Sequence, residues 1–188
     1  MLHKNICYVF DRAVKESVCD EIIDLIKSSK KTKATLAEVK SDYKQRRGQV
    51  VWKKPQLFHD LILPYFDKAN QKGGYRYQFD MLEDIQLAQY NKNDHFYWHE
   101  DTLTEPFDNG KIRKLSMSIN LSSKQNYVGG DFIFRTLQRG KVVDFKPIKF
   151  KNKGSVVVFP SPTMHTVKPV KKGTRYALVA WALGDPFK

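Results

Sequence analysis

From residue 75 onward the chain falls into nine short runs rich in aromatic and β-branched residues: 75–79, 84–90, 95–102, 115–121, 131–136, 142–150, 154–159, 165–169 and 174–182. Turn residues divide them. A cadence of short strands and turns predicts an antiparallel sandwich or barrel. Asp108-Asn109-Gly110 and Gly129-Gly130-Asp131 are the strongest turns, because Gly and Asn accept the backbone conformations that tight turns need.

The first 74 residues follow a different period. Residues 6–10 read as a short strand. Residues 15–29 place Val18, Ile22, Leu25 and Ile26 on one stripe, the signature of an amphipathic helix. Strands are expected at 34–39 and 49–52, separated by the polar run Lys40–Gly48. A second helix is expected from about Pro55 to Gln71, packing through Leu57, Leu61, Leu63 and Phe66, with Pro64 kinking or interrupting it. Gly73-Gly74 closes the region. With no repeat, low-complexity stretch or linker, residues 1–188 are expected to form one domain: a helical flank with edge strands over 1–74 and a β core over 75–188. The fold class is mainly β with flanking helices.

A chain of 188 residues with 41% hydrophobic and 28% charged residues is globular in composition. Its formal charge of +13 favours acidic partners such as nucleic acid, an anionic substrate or an acidic protein, although solvated lysine explains it equally well. Cys7 and Cys19 make neither a disulfide framework nor a Cys-rich metal site, which suits a reducing cytoplasm. The N-terminal residues lack the apolar run of a leader, and no stretch is long enough to span a bilayer, so no membrane association is expected.

Chemistry concentrates in Phe96-Tyr-Trp-His99-Glu-Asp101-Thr102. On a strand, residues two apart share a face, so His99 and Asp101 project together while Glu100 turns away. An imidazole beside a carboxylate supplies two-thirds of the face of two His and one carboxylate that holds non-haem Fe(II). His165, in Pro-Thr-Met-His-Thr-Val, is the best candidate for the third ligand. A zinc hydrolase would accept the same set. In a strand over 174–182, Arg175, Ala177, Val179 and Trp181 share one face, and Tyr176, Leu178, Ala180 and Ala182 share the other. Both faces are mostly apolar, so Arg175 would be desolvated and need an anion. An internal Asp or Glu would serve, and so would a carboxylate brought by a cosubstrate.

The segment from His165 through Arg175 to Trp181 resembles the C-terminal signature of Fe(II)/2-oxoglutarate oxygenases, within them the prolyl 4-hydroxylase-like group and its microbial or viral relatives. The resemblance extends to Gln89-Tyr90-Asn91, to Arg113–Ser122 and to Gly129-Gly-Asp-Phe-Ile-Phe134, and spans about residues 85–184. It implies a double-stranded β-helix of jelly-roll or cupin type, with iron on His99, Asp101 and His165. By the same resemblance, 2-oxoglutarate binds the metal and pairs its far carboxylate with Arg175. Tyr90, Ser118 and Asn120 are candidates for contacting it, and Trp181 for walling the site. The family often places a Tyr in the strand that carries Ser118 and Asn120. The implied reaction consumes O2, decarboxylates 2-oxoglutarate to succinate and CO2, and hydroxylates a C–H bond, with ascorbate as an accessory reductant. A prolyl residue in a peptide or protein is the expected substrate. The loop Thr102–Ile112 and the stretch 40–54 are candidate covers over it. The alternatives are an oxygenase acting on nucleic acid and a catalytically silent basic binding module. Against the first, Arg175 is the last Arg in the chain; against the second, the ligand set is intact.

Overall fold

A computed structural model describes residues 6–34 and 45–187. The chain opens with strand β1 (Tyr8–Phe10) and helix α1 (Glu16–Ser28). Cys19, Ile22, Ile23 and Ile26 form the buried stripe of α1, with Val18 and Leu25 packed at its margin. Strands β2 (Thr32–Lys33), β3 (Arg46–Arg47) and β4 (Gln49–Lys53) follow. Apart from Ala34, the strand expected at 34–39 lies outside the described residues.

The second expected helix is a 3-10 turn over Pro55–Leu57 followed by helix α2 (His59–Lys72). The turn shifts the phase of the sequence, so Leu57 is exposed and Phe58, Ile62, Phe66 and Ala69 are buried. Pro64 stays within α2 on its exposed side, where the carbonyl left without a donor can reach solvent. The expected strand at 75–79 does not form. The Asn70 side chain takes both backbone groups of Tyr77, donating to its carbonyl at 2.8 Å and accepting from its N–H at 2.9 Å. Those groups are thereby withdrawn from any ladder.

The β core comprises β5 (Met81–Leu82), β6 (Ile85–Tyr90), β7 (His95–His99), β8 (Ile112–Asn120), β9 (Tyr127–Gly129), β10 (Phe132–Gln138), β11 (Lys141–Phe145), β12 (Ser155–Pro160), β13 (His165–Val167), β14 (Val170–Gly173) and β15 (Arg175–Gly184). The run expected at 142–150 ends as a strand at Phe145, because Pro147 removes a ladder donor and a 3-10 turn follows over Ile148–Lys151. The short strands β3, β9 and β14 carry too few residues to show a period.

The larger sheet runs β1-β12-β8-β15-β6-β4-β2 with β5 beside β15, and the facing sheet runs β11-β10-β13-β7-β3. From β6 onward the chain passes repeatedly between the two sheets, the winding of a double-stranded β-helix. Period-2 alternation divides the larger sheet between two cores. Leu115, Ile119, Val156, Val158, Leu178, Ala180 and Ala182 pack against α1 and α2. Tyr90, Val157, Phe159 and Ala88 turn inward toward Phe132, Phe134 and Val167 of the facing sheet. Among the described residues, no helix is long and apolar enough to cross a membrane.

Gly154 joins these layers. Its φ is +74°, its N–H donates to the Asn120 carbonyl at 2.8 Å, and its own carbonyl accepts from Val14 at 2.9 Å. A Cβ there would strike the Val14 carbonyl oxygen. Gly154→Ala should therefore destabilise the fold by about 2 kcal/mol or more, lowering the urea midpoint at an unchanged m-value. An unchanged midpoint would refute the packing argument.

Candidate metal and cosubstrate site

His99 ends β7 and His165 begins β13, and these two residues are direct cross-strand partners. Their rings stand 4.1 Å apart, centroid to centroid. Asp101 lies beyond the end of β7, not on it as the sequence reading had it, because the chain leaves the ladder at Glu100. Its backbone is nonetheless fixed. The Asp101 N–H donates to the Ser161 carbonyl at 2.9 Å, and Arg113 Nη1 donates to the Asp101 carbonyl at 3.1 Å. Glu100, expected to turn away, is exposed but also lines the cavity that His99 and Asp101 line, because strand alternation ends at His99.

The three side chains converge. His99 Nε2 lies 3.7 Å from one Asp101 oxygen and His165 Nε2 lies 3.8 Å from the other. The candidate ligand atoms of all three lie within 4.8 Å of one another. Each imidazole donates Nδ1–H to a carbonyl two residues back: His99 to Tyr97 at 2.7 Å and His165 to Thr163 at 2.9 Å. Those bonds fix the tautomer and leave Nε2 of each ring with a lone pair free to bind a metal. Phe96 stacks on His99 at 3.3 Å and Phe132 on His165 at 5.2 Å, so each ring is backed by an aromatic face.

Electrostatics suit the same role. Burial, reinforced by the neighbouring His165, pushes the His99 imidazole down to about 3, keeping it neutral. Burial alone would raise the Asp101 carboxyl. His165, His99, Arg113 and the Ser116 hydroxyl together hold it below its ordinary value, so it stays ionised. Two imidazoles that each present Nε2, beside a carboxylate, make a donor set that fits Fe(II) and leaves coordination positions open.

The cavity beside this trio has a volume of about 310 Å³, and Tyr90, Ser118, Arg175 and Trp181 line it. Arg175 is only 2% exposed and lies directly across the ladder from Tyr90, its guanidinium carbon 5.7 Å from the Tyr90 ring. Its Nη2 is buried with no hydrogen-bond partner. Among the described residues no carboxylate answers it, so of the two anions considered for Arg175 an external one fits better. The Trp181 indole N–H is likewise buried without an acceptor. Asn120 is placed differently. Its amide donates to the carbonyls of Ser122 and Lys151, both at 3.0 Å, and Tyr127 donates to its Oδ1 at 3.5 Å, outside the lining of this cavity.

Several lining residues escaped the sequence reading. Arg46 and Gln86 are buried, hydrogen-bonded to each other, and line the same cavity. Gln86 shares strand parity with Tyr90, and that signal was available. Arg46 lies within the polar run 40–48, part of the stretch expected as a cover, and no period there singled it out. Arg113 stood within a quoted motif but had no role. Here it is a clamp: Nε and Nη2 both bond Glu83 at 2.7 Å, Nη1 holds Asp101, and the guanidinium lies 4.2 Å from the Trp181 ring.

A family profile described as the 2OG-Fe(II) oxygenase superfamily matches residues 85–183. A PKHD-type hydroxylase of Synechococcus sp. (strain CC9902) is 29% identical over 100 residues, covering 53% of this chain and 41% of that protein. The chain thus spans less than half the length of this curated relative. Among solved structures, a Pseudomonas putida prolyl-4-hydroxylase aligns with a TM-score of 0.70 at 19% identity, covering 96% of this chain and 94% of that one. The viral collagen prolyl hydroxylase of Paramecium Bursaria Chlorella virus-1, solved with 2OG, aligns with a TM-score of 0.66 at 19% identity over 96% and 97% of the two chains. At that identity the structural likeness establishes the fold.

Substitution should separate ligands from supports. His99→Ala and Asp101→Ala should lose stoichiometric Fe(II) or Co(II) binding with circular dichroism unchanged. Arg113→Lys keeps the three ligands but loses the two-pronged bond to Glu83, and should weaken metal affinity about tenfold. A Co(II) titration followed by absorbance reads all three, and full affinity in Asp101→Ala would remove that residue from the metal site.

Proposed function

The chain belongs to the 2OG-Fe(II) oxygenase superfamily, and from that membership and the cavity's geometry we propose that it hydroxylates a prolyl residue in a peptide or protein, converting 2-oxoglutarate and O2 to succinate and CO2. The observation that carries the reading is one cavity holding both a three-ligand metal face and a buried guanidinium whose Nη2 lacks a partner. A dicarboxylate with a keto group answers both ends. His99, Asp101 and His165 hold the metal. Arg175 takes the far carboxylate, and Tyr90, Ser118 and Trp181 shape the pocket around the cosubstrate. Iron bound there would supply O2 activation, with O2 as the oxidant and 2-oxoglutarate as the two-electron reductant, and so the power to functionalise an unactivated C–H bond. The aromatic side chains Phe96, Phe132 and Phe159 keep the cavity apolar and exclude water.

The prolyl target is supported by the names of the relatives, a PKHD-type hydroxylase and two prolyl hydroxylases. Buried, unbridged Cys7 and Cys19 support a cytoplasmic setting. The test is to load the protein anaerobically with Fe(II) and 2-oxoglutarate, with ascorbate present, and then admit oxygen with a pool of proline-containing peptides. Succinate should rise with peptide, and one peptide should gain a single oxygen on proline. Succinate release indifferent to every peptide would discard the prolyl target while keeping the oxygenase.

Arg175→Ala should raise the 2-oxoglutarate concentration for half-maximal turnover about a hundredfold, as expected for losing a desolvated two-pronged charge pair. An unchanged requirement would take Arg175 out of that role.

A further inference from the structure

A second and larger cavity, about 1080 Å³, adjoins the metal cavity and shares Trp52 with it. This volume exceeds what a small ligand needs and suits an extended polypeptide. Its wall is built from β4 and the 3-10 turn after it, the face of α2 that carries His59, Leu63 and Asp67, the segment before β6 and the loop before β8.

Its charge is opposite to that of the chain. Overall, 33 Lys and Arg outnumber 20 Asp and Glu. Along this wall Asp67, Asp80, Glu83, Asp84 and Asp108 face a single lysine, Lys54. Glu83 is committed inward to Arg113, Lys54 answers Asp84 at 3.1 Å, and Lys111 answers Asp80 at 2.7 Å. Asp67 and Asp108 are exposed, and among the described residues no cation pairs with either. The same wall presents Trp52 and Met81, each 45% exposed. An open indole beside uncompensated carboxylates recognises the aliphatic stem and charged head of Lys or Arg. Nucleic acid and acidic peptides would be repelled.

The groove also leads somewhere. Trp52 stacks on Trp181 at 6.2 Å and 28°, and Trp181 lines the metal cavity. A polypeptide lying in the groove therefore passes into the cavity at Trp52. We propose that this groove seats the Lys- or Arg-bearing flank of the polypeptide substrate whose target residue enters the metal cavity. The inference rests on the reading of that cavity as a protein hydroxylase site.

The test measures binding apart from turnover. Two fluorescent peptides share one proline-containing centre and carry either Lys or Glu flanks, and anisotropy reads their affinity for the full chain and for the double variant Asp67→Lys/Asp108→Lys. The Lys-flanked peptide should bind more tightly, and the double variant should weaken it about fivefold, the worth of two solvent-exposed ion pairs. The 2-oxoglutarate requirement should not change. Equal binding of the two peptides, or a Lys preference that survives the double variant, overturns the proposal. Lys-selective binding abolished by the variant, with no hydroxylation of any peptide, upholds the groove and discards the prolyl target.

Discussion

A guanidinium buried to 2% exposure is among the costliest groups a fold can hold, and Arg175 sets the terms for what surrounds it. It sits on β15, the strand at the centre of the larger sheet, between β8 and β6. The register of β15 is fixed from the opposite side. Leu178, Ala180 and Ala182 are buried against the helices, so Arg175, Ala177, Val179 and Trp181 have to face inward. A slip by one residue would send the guanidinium into the helical core. Space is made for it as well: a Cβ on Gly130, at φ +59°, would stand 3.1 Å from Arg175 Cδ. The helices that look like a flank therefore determine which side chains reach the cavity.

The metal end is built on a different plan. Arg175 is held by the centre of a sheet, whereas His99 and His165 sit at strand ends and Asp101 lies past one. Strand ends are where a ladder stops dictating side-chain direction, so orientation has to come from elsewhere. The two Nδ1–H bonds to carbonyls fix the imidazoles, and the Ser161 carbonyl and Arg113 fix Asp101. Glu83 in turn fixes Arg113. The position of Asp101 thus rests on hydrogen bonds that run through Arg113 to Glu83, and Glu83 lines the second cavity.

Legibility in the sequence followed the strength of local period. The alternation in 174–182 identified both faces of β15, and the inward set includes Arg175 and Trp181 as read. The cadence of short runs pointed to the β core. Failures occurred where one contact outside the run decided the outcome. Tyr75–Phe79 has strand composition, but Asn70 takes the backbone groups of Tyr77. Leu57 has a core side chain, but a 3-10 turn rotates it outward and buries Phe58 instead. Asp101 and His99 meet as expected, though through a bend held by Arg113 and not through strand parity. Arg46 and Gln86 come from separate strands and meet only in the fold, so no local pattern could pair them.

The same distinction governs charge. A net value of +13 is a sum over the surface, while recognition is decided within a Debye length, about 8 Å at physiological ionic strength. A peptide side chain in the larger groove lies among Asp67, Asp108 and the paired carboxylates of the same wall, and lysines beyond that range are screened from it. The basic body does not then steer a basic peptide toward the groove, because the long-range field opposes its approach. Selectivity for such a partner has to arise at contact, through short-range ion pairs with Asp67 and Asp108 and the exposed face of Trp52, and so in the rate of departure more than in the rate of arrival. Composition alone pointed to acidic partners; on this wall three carboxylates are paired, and the two that are not, Asp67 and Asp108, set the sign that a substrate lying there would meet.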